Sequence, residues 1–274
     1  VVDSEVYGRL ASSGAGNKGF GKWLIRKSLE SKHCKKIIAW SHDCRQTFVD
    51  AFPDNKKILD KLVLVPFALP VPTYKKKKHK NIRIVFVARW FDAKGGRQTL
   101  EVFDRLSKKY SNVEFTFICP TPEEFKKKYA QNTSITIMDL MPQEKIFKDV
   151  YTTTDIFFYP GFGDSYGFAV PEALSFGIPV ISTKTFAKSE LVQDGKTGFL
   201  IDMPKGFDDM KDKYLLMDEQ VLNSFVAKTS MLIEDKKLRE NMGKAAQKEA
   251  ISGLFSIEKR NKMLLEIYRS ALED

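Results

Sequence analysis

Short apolar runs alternate with amphipathic segments along the middle of the chain, and this alternation restricts the fold more than any other feature. Five runs have the length and the β-branched or aromatic content of buried strands; they cover residues 82–88, 113–118, 135–138, 156–159 and 179–182. Between them lie segments with helical periodicity, such as residues 96–110. Strands separated by helices predict an α/β fold with a Rossmann-like, doubly wound parallel sheet. Ligands of such sheets bind at the carboxyl ends of the strands.

The first part of the chain contains fewer elements of the same kind. Here we predict strands at 36–41 and 62–66, and helices over 19–32, 43–51 and 55–62, with Asp43 as the N-cap of the second. In the middle part, further helices are predicted over 122–129 and 142–151. Pro70, Pro72 and the lysine-rich run 75–80 predict a linker, because prolines and like charges resist packing. From residue 218 the pattern is almost entirely helical, and the last helix covers 256–272.

These patterns divide the chain into three parts. Residues 1–80 form a partial domain and a linker, residues 81–255 a ligand-binding domain, and residues 256–274 a helix that packs back toward the first part. The chain begins at Val1 in the middle of a pattern, so we expect a fragment or a processed chain.

Composition narrows the class of protein. A hydrophobic content of 43% indicates a folded globular chain, and no apolar run approaches the ~20 residues that span a bilayer. Three cysteines and three histidines lack the spacing of a disulfide framework or a metal site, so we expect reduced thiols and a cytoplasmic protein. The net charge of +10 predicts an anionic partner: a nucleotide, a nucleic acid or an anionic membrane surface. A nucleic acid is disfavoured because the chain lacks interleaved aromatic residues and a known module.

Residues 18–36 are strongly basic. Trp23, Leu24, Ile25 and Leu29 would form an apolar side of a helix here, which is typical of a peripheral membrane helix. The alternative is a solvated helix face followed by a hinge.

Residues 164–172 combine two carboxylates with a glycine turn directly after the strand 156–159. Gly167 stands near the start of the next helix, and helix N-termini bind phosphate. Asp164 and Glu172 on either side suit a ligand with hydroxyl groups around a phosphate, such as a nucleotide-sugar. Arg89 and Lys94 follow the strand 82–88 and suit a diphosphate, although each alone would be ordinary surface charge.

Five segments in this order resemble the group 1 family of retaining nucleotide-sugar glycosyltransferases, which have the two-domain GT-B fold. The resemblance covers the chain from about residue 37 onward. The matching segments are residues 36–41 with 61–66, 86–95, 164–172, 189–200, and 238–243 with 255–258. The resemblance implies a complete donor-binding domain beside a partial second Rossmann-like domain, with most of the N-terminal domain missing.

The resemblance also implies a role for each matching residue. Arg89 and Lys94 would hold the donor diphosphate, Glu172 the ribose hydroxyls, and Asp164 would face the transferred sugar, so that Asp164, Arg89 and Lys94 are the catalytic candidates. Backbone N–H groups near Gly167, Phe168 and Ala169 would complete the phosphate cradle. The stretch Leu140-Met141 would line the base pocket, chiefly through its backbone.

The implied activity is transfer of a sugar from a nucleoside-diphosphate sugar to a saccharide or lipid-linked acceptor, with retention of configuration, without a cofactor and without a metal. Asp208-Asp209, in a polar stretch, would be a solvated turn. Asp164 replaces the family's first Glu, and Ser165-Tyr166 its common Gly-Phe, which affects the expected sugar preference more than the activity. The alternatives are a nucleotide-binding module without turnover, a nucleotide-sugar epimerase and a phosphorylase.

Overall fold

A computed structural model describes residues 1–4, 18–204, 207 and 217–273. The chain forms two compact units: Val1–Pro70 with Ser252–Asp274, and Val71–Ile251. The units therefore divide at Pro70 and not at residue 80, and again at Ile251 and not at residue 255. Asp208-Asp209 lies outside the described residues.

The first unit is built on a small parallel sheet in the order β1-β2-β3. Its elements are β1 (Val2–Ser4), α1 (Gly19–Glu30), β2 (Ile37–Ala39), α2 (His42–Ala51), α3 (Lys56–Leu59) and β3 (Leu62–Leu64), together with α11 (Ile257–Glu273). Ile37, Ala39 and Phe48 are central to its buried cluster. Met263 and Ile267 of α11 line a groove beside β3.

Helix α1 contributes only part of its apolar side to this core. Leu29 is buried and Ile25 packs against the cluster, whereas Trp23 and Leu24 are exposed. Part of the apolar side that was predicted to contact a membrane thus packs into the core, and the rest of it is exposed.

The second unit contains a larger parallel sheet with helices between its strands. Its elements are β4 (Ile82–Val87), α4 (Gly96–Lys109), β5 (Val113–Ile118), α5 (Glu123–Tyr129), β6 (Ile135–Met138), α6 (Gln143–Lys145), β7 (Ile156–Tyr159), α7 (Ala169–Ser175), β8 (Val180–Thr183), α8 (Lys188–Leu191), β9 (Gly198–Ile201), α9 (Glu219–Glu234) and α10 (Lys236–Ser252). The alternation found in the sequence predicted this α/β class, and the structure confirms it.

The strand order of the large sheet is β6-β5-β4-β7-β8-β9, with every pair parallel. The chain winds outward from β4 in one direction and from β7 in the other. A crevice forms where the winding direction changes, at the carboxyl ends of these two strands. Aromatic packing buries both faces of the sheet: Phe103 of α4 and Phe225 of α9 contact Phe158 on one face, and Tyr151 contacts Phe157 on the other.

One local prediction is wrong and two differ from the structure in detail. The N-cap of α2 is Ser41 and not Asp43, because the Ser41 hydroxyl accepts the Cys44 N–H at 2.9 Å. The helix predicted over 142–151 is a short α-helix that changes to a π-turn over Ile146–Val150 and a 3₁₀ turn over Tyr151–Thr153. The predicted linker pairs with the second unit: the Lys77 N–H donates to the Thr152 carbonyl at 2.8 Å, and His79 bonds Asp155.

All three cysteines are free and buried. In the described part of the chain, helices are too short or too polar to cross a membrane.

Candidate functional site

Two loops form the crevice at the carboxyl ends of β4 and β7. Backbone hydrogen bonds join them: the Gly161 N–H donates to the Lys94 carbonyl at 3.1 Å, and the Gly163 N–H to the Ala93 carbonyl at 2.7 Å. Because these bonds cross from one loop to the other, they fix the loop after β4 against the loop that carries Asp164.

Gly95 makes this close approach possible. Its φ of +81° lies in the left-handed region, and a Cβ atom at this position would lie 2.6 Å from Pro160 Cβ. A side chain would therefore be strained by the backbone and would also collide with the second loop.

Lys94 and Asp164 form an ion pair in the crevice. The Lys94 Nζ lies 3.0 Å from Asp164 Oδ1 and 3.2 Å from the Gly163 carbonyl oxygen, and both side chains are largely buried. The Tyr159 hydroxyl donates to Asp164 Oδ2, so both carboxylate oxygens are engaged. Burial raises the pKa of Tyr159 well above its usual value, and the charge of Asp164 raises it further. The phenol therefore stays protonated and keeps donating.

Arg89 lies two residues beyond the end of β4 and is exposed. Its guanidinium makes no ion pair or hydrogen bond with a described residue. The neighbouring Trp90 is 64% exposed. The structure thus places Arg89 and Lys94 on one loop but pairs only Lys94 with Asp164.

Gly167 and Glu172 lie at the start of α7. Gly167 has a φ of +83°, and Phe168 and Ala169 follow it into the helix. Glu172 lies in the first turn, where a carboxylate is favoured by the helix dipole. Its Oε1 accepts a hydrogen bond from Gln143 Nε2 at 2.5 Å. Burial raises the pKa of Glu172 to about 7, although the bond from Gln143 acts in the opposite direction.

Leu140 and Met141 lie in the loop between β6 and α6, at the same edge of the sheet. Leu140 is 43% exposed and Met141 is half-buried. The hydrogen bond between Gln143 and Glu172 ties this segment to α7.

Lys188 contacts the backbone of the loop that follows β7 and carries Asp164. It is fully buried, and its Nζ donates to the Gly161 carbonyl at 2.8 Å. Its stem would lie 3.5 Å from a Cβ atom at Gly167. A buried ammonium is retained only where it is satisfied, so Lys188 helps to fix the loop that carries Asp164.

The sequence patterns do not point to Gln143, Tyr159 or Lys188. Tyr159 is only the last residue of a predicted apolar strand, and Lys188 lies directly before the matching segment 189–200 and outside it. Gln143 lies far from Glu172 in the chain, so no local pattern connects them. The rule that ligands bind at strand ends could have singled out Tyr159, because it is the last residue of β7.

Within residues 1–4, 18–204, 207 and 217–273, His, Cys, Asp and Glu side chains do not gather in threes as a metal ion would require.

A parallel sheet that reverses its winding direction between β4 and β7, with helices between its strands, defines a Rossmann-like α/β domain. Residues 73–249 match the family described as glycosyl transferases group 1, and the chain belongs to this family.

Curated relatives share part of the chain. The sulfoquinovosyl transferase SQD2 of Arabidopsis thaliana is 27% identical over 160 residues, which is 57% of this chain and 28% of the relative. The phosphatidylinositol N-acetylglucosaminyltransferase gpi3 subunit of Schizosaccharomyces pombe is 24% identical over 172 residues, 60% of this chain and 37% of the relative. The chain thus spans well under half the length of these two relatives.

Solved structures show the same fold. HepE of Anabaena in complex with UDP and glucose has a TM-score of 0.72 at 14% identity, over 98% of this chain and 71% of that protein. A glycosyltransferase of Rickettsia africae has a TM-score of 0.71 at 18% identity, over 94% of this chain and 69% of that protein. The predicted GT-B-type α/β fold class is confirmed.

Proposed function

We propose that the chain carries the donor site of a retaining glycosyltransferase that moves a sugar, of hexosyl type, from a nucleoside-diphosphate sugar to a saccharide or lipid-linked acceptor. The observation that carries the proposal is the Lys94–Asp164 ion pair at the switch point, with Glu172 on the adjoining helix. A cation that can bind phosphate and two acids that can bind hydroxyl groups thus lie together at the carboxyl ends of the strands. The carboxyl ends of strands are where such folds bind nucleotides.

The donor diphosphate would lie between Arg89, Lys94 and the start of α7. Arg89 has its guanidinium exposed and free for a bidentate contact, and Lys94 supplies a point charge. The first N–H groups of a helix lack intrahelical acceptors, so those near Gly167, Phe168 and Ala169 can donate to phosphate oxygens. As the nucleoside diphosphate leaves, these groups would neutralise its growing charge, which can lower a barrier by several kcal/mol.

The two acids would take different parts of the donor. Asp164 would accept hydrogen bonds from the transferred sugar, with Tyr159 fixing its orientation. Glu172 would accept hydrogen bonds from the ribose, and Gln143 already bonds its Oε1. The backbone of Leu140 and Met141 would contact the base, since this loop lies on the same side as Glu172.

The proposed transfer uses no metal and no cofactor. The positive charge that a metal would supply comes from Arg89, Lys94 and the helix terminus. Retention of configuration is proposed from membership of the family. In support, one crystal structure of HepE is a complex with UDP-glucose, and a structure of the pneumococcal O-GlcNAc transferase GtfA is a complex with UDP and GlcNAc.

Calorimetric titration with UDP, GDP and ADP tests the donor site. We expect one of the three to bind, and E172A to weaken that binding about tenfold or more, because a buried acceptor for ribose hydroxyls is lost. E144A is the matched control, since Glu144 is exposed on α6 and accepts no hydrogen bond from the neighbouring helix. Absence of binding by all three nucleotides would refute the proposal.

A nucleotide-binding module without turnover is the alternative function. The chain spans 28% and 37% of two transferases that it matches. Release of free sugar from the donor by this chain, abolished in R89A, would favour the enzyme. Nucleotide binding without release would favour the module.

We further propose a cytoplasmic protein that contacts an anionic membrane surface through α1. Phe20 is 72% exposed and its ring stacks on Trp23 with centroids 5.5 Å apart, beside the basic Lys22 and Lys27. Aromatic residues flanked by lysines favour a membrane interface. Co-sedimentation with vesicles of phosphatidylcholine and phosphatidylserine should be lost in F20S/W23S. No preference for phosphatidylserine would exclude this contact.

A further inference from the structure

A second cleft of about 720 Å³ opens at the opposite end of the large sheet. It lies beside Ile82, the first residue of β4, and beside Asp155 and Pro179, which precede β7 and β8. The donor site lies at the carboxyl ends of the same strands. Because β4 has six residues, the two sites are about 20 Å apart along the strand. A ligand in the donor site therefore leaves this cleft open.

The lining of the cleft is strongly cationic. Two carboxylates, those of Asp155 and Glu240, face a larger set of cations: Lys76, Lys78, Lys80, Lys236, Arg239 and Lys244. These cations come from two segments of the chain. One is the lysine-rich run 75–80, for which a linker was predicted, and the other is one face of α10. Neither segment has a role in the proposed donor site.

Both carboxylates already have partners. Asp155 Oδ2 lies 2.6 Å from His79 Nε2 and accepts the Arg83 N–H at 2.9 Å. Glu240 Oε1 lies 3.8 Å from Lys236 Nζ on the same helix. The acids therefore leave most of the positive charge of the cleft uncompensated.

Two of the cations are held by carbonyl groups. Lys76 Nζ donates to the Thr154 carbonyl at 2.9 Å, and Arg239 donates to the Leu232 carbonyl at the end of α9. In contrast, Lys78, Lys80 and Lys244 make no hydrogen bond or ion pair with any residue that the structure describes. Three ammonium groups on two segments thus face one cleft without a counter-charge.

This arrangement is electrostatically unfavourable without a ligand. Lys76 is exposed as a residue, but its hydrogen bond to the Thr154 carbonyl is partly buried; desolvation there lowers the pKa of Lys76, Asp155 partly opposes this, and the charge of Arg239 lowers the pKa again. Like charges in one cleft repel each other, and a bound anion removes the repulsion. The cleft therefore has an electrostatic reason to bind an anion.

Several properties select the kind of anion. Ammonium groups bind phosphate oxygens as point charges, and three of them together favour an anion with several charges over a single carboxylate. The amides of Asn81 and Gln247 can donate to further oxygen atoms. We propose that this cleft binds a ligand with more than one phosphate group, either a soluble polyphosphorylated molecule or a phospholipid headgroup.

The test uses the complete 274-residue chain and inorganic tripolyphosphate in calorimetry. The wild type should bind at two sites, since tripolyphosphate also fits the donor site. K78Q/K80Q/K244Q should weaken one site about tenfold or more and leave nucleotide binding unchanged. The donor variant R89Q/K94Q should lose the other site. K32Q/K127Q/K262Q, which removes three exposed lysines elsewhere, should match the wild type.

The outcomes separate this proposal from that of the donor site. If K78Q/K80Q/K244Q binds tripolyphosphate like the wild type, the cleft is not a phosphate site, whatever the result at the donor site. Vesicles of phosphatidylcholine with and without a phosphatidylinositol bisphosphate, whose headgroup carries several phosphates, identify the source. Loss of binding to the bisphosphate vesicles in the cleft variant assigns a lipid headgroup. Loss of tripolyphosphate binding alone assigns a soluble ligand, and loss of neither overturns the proposal.

Discussion

At the scale of single residues, the site depends on which buried polar groups have partners. Tyr159 and Tyr151 are both buried, and burial raises the pKa of each well above its usual value. The Tyr159 hydroxyl donates to Asp164, whereas the Tyr151 hydroxyl has no hydrogen-bond partner among the described residues. The buried tyrosine hydroxyl therefore stabilises the fold at position 159, whereas at position 151 its burial costs free energy.

Two Tyr→Phe variants test this difference. We expect Y159F to lower the free energy of unfolding by about 1–2 kcal/mol, because the Asp164 carboxylate loses a buried donor. Y151F should be neutral or stabilising, because it removes a buried hydroxyl that has no partner. Urea unfolding measures both. Equal losses in the two variants would contradict the hydrogen-bond assignment.

Glu172 predicts a pH dependence of nucleotide binding. Its pKa is raised to about 7, so at lower pH its carboxyl is mostly protonated and accepts ribose hydroxyls poorly. Affinity should rise about tenfold between about pH 6 and pH 8, with release of a proton on binding. Calorimetry in buffers of different ionisation enthalpy measures that proton. E172Q should remove the dependence, and a dependence that persists in E172Q would assign it to another group.

Stability should change in the opposite direction over a similar range. Because the folded-state pKa of Glu172 is raised above 4.5, the folded state binds more protons than the unfolded chain between about pH 4.5 and 7. The contribution of Glu172 to stability is therefore greatest below this range and falls as pH rises through it. We therefore expect nucleotide affinity to rise and stability to fall as Glu172 loses its proton.

At the scale of elements, the connection between the two loops matters more than either loop alone. The sequence placed Arg89, Lys94 and residues 164–172 after predicted strands, and the structure agrees. The sequence patterns did not predict the backbone hydrogen bonds between the two loops, because periodicity describes strands and helices but not how the loops between them pair. The same limit explains the wrong cap of α2, since Ser41 and Asp43 are both good capping residues.

Two Gly→Ala variants test the loop contact. G95A should cost more than about 2 kcal/mol, because a left-handed backbone and a clash with Pro160 act together. Gly195 has a φ of +73° with nothing within 4 Å of a Cβ atom, so G195A should cost only about 1 kcal/mol. Thermal unfolding compares them, and a cost for G95A no greater than for G195A would exclude the clash.

At the scale of the whole molecule, all proposed donor-site residues lie in the second unit. Residues 71–251 produced alone should therefore bind the preferred nucleoside diphosphate within about threefold of the complete chain, as measured by calorimetry. Circular dichroism serves as the folding control. A folded but non-binding fragment would mean that the first unit contributes to the donor site.

Local periodicity and the residue types at strand ends were enough to predict the α/β fold class and the strands that precede the candidate site. The partners of the site residues could be seen only in the folded chain. The order of the sheet sets β4 beside β7, which pairs Lys94 with Asp164, and the packing of α6 near α7 brings Gln143 to Glu172. The lysine-rich segment likewise packs against residues 152–155, directly before β7, so that a predicted linker lines the cationic cleft. Such pairings join residues that are distant in the chain, and local patterns do not reveal them because strand order and packing bring them together.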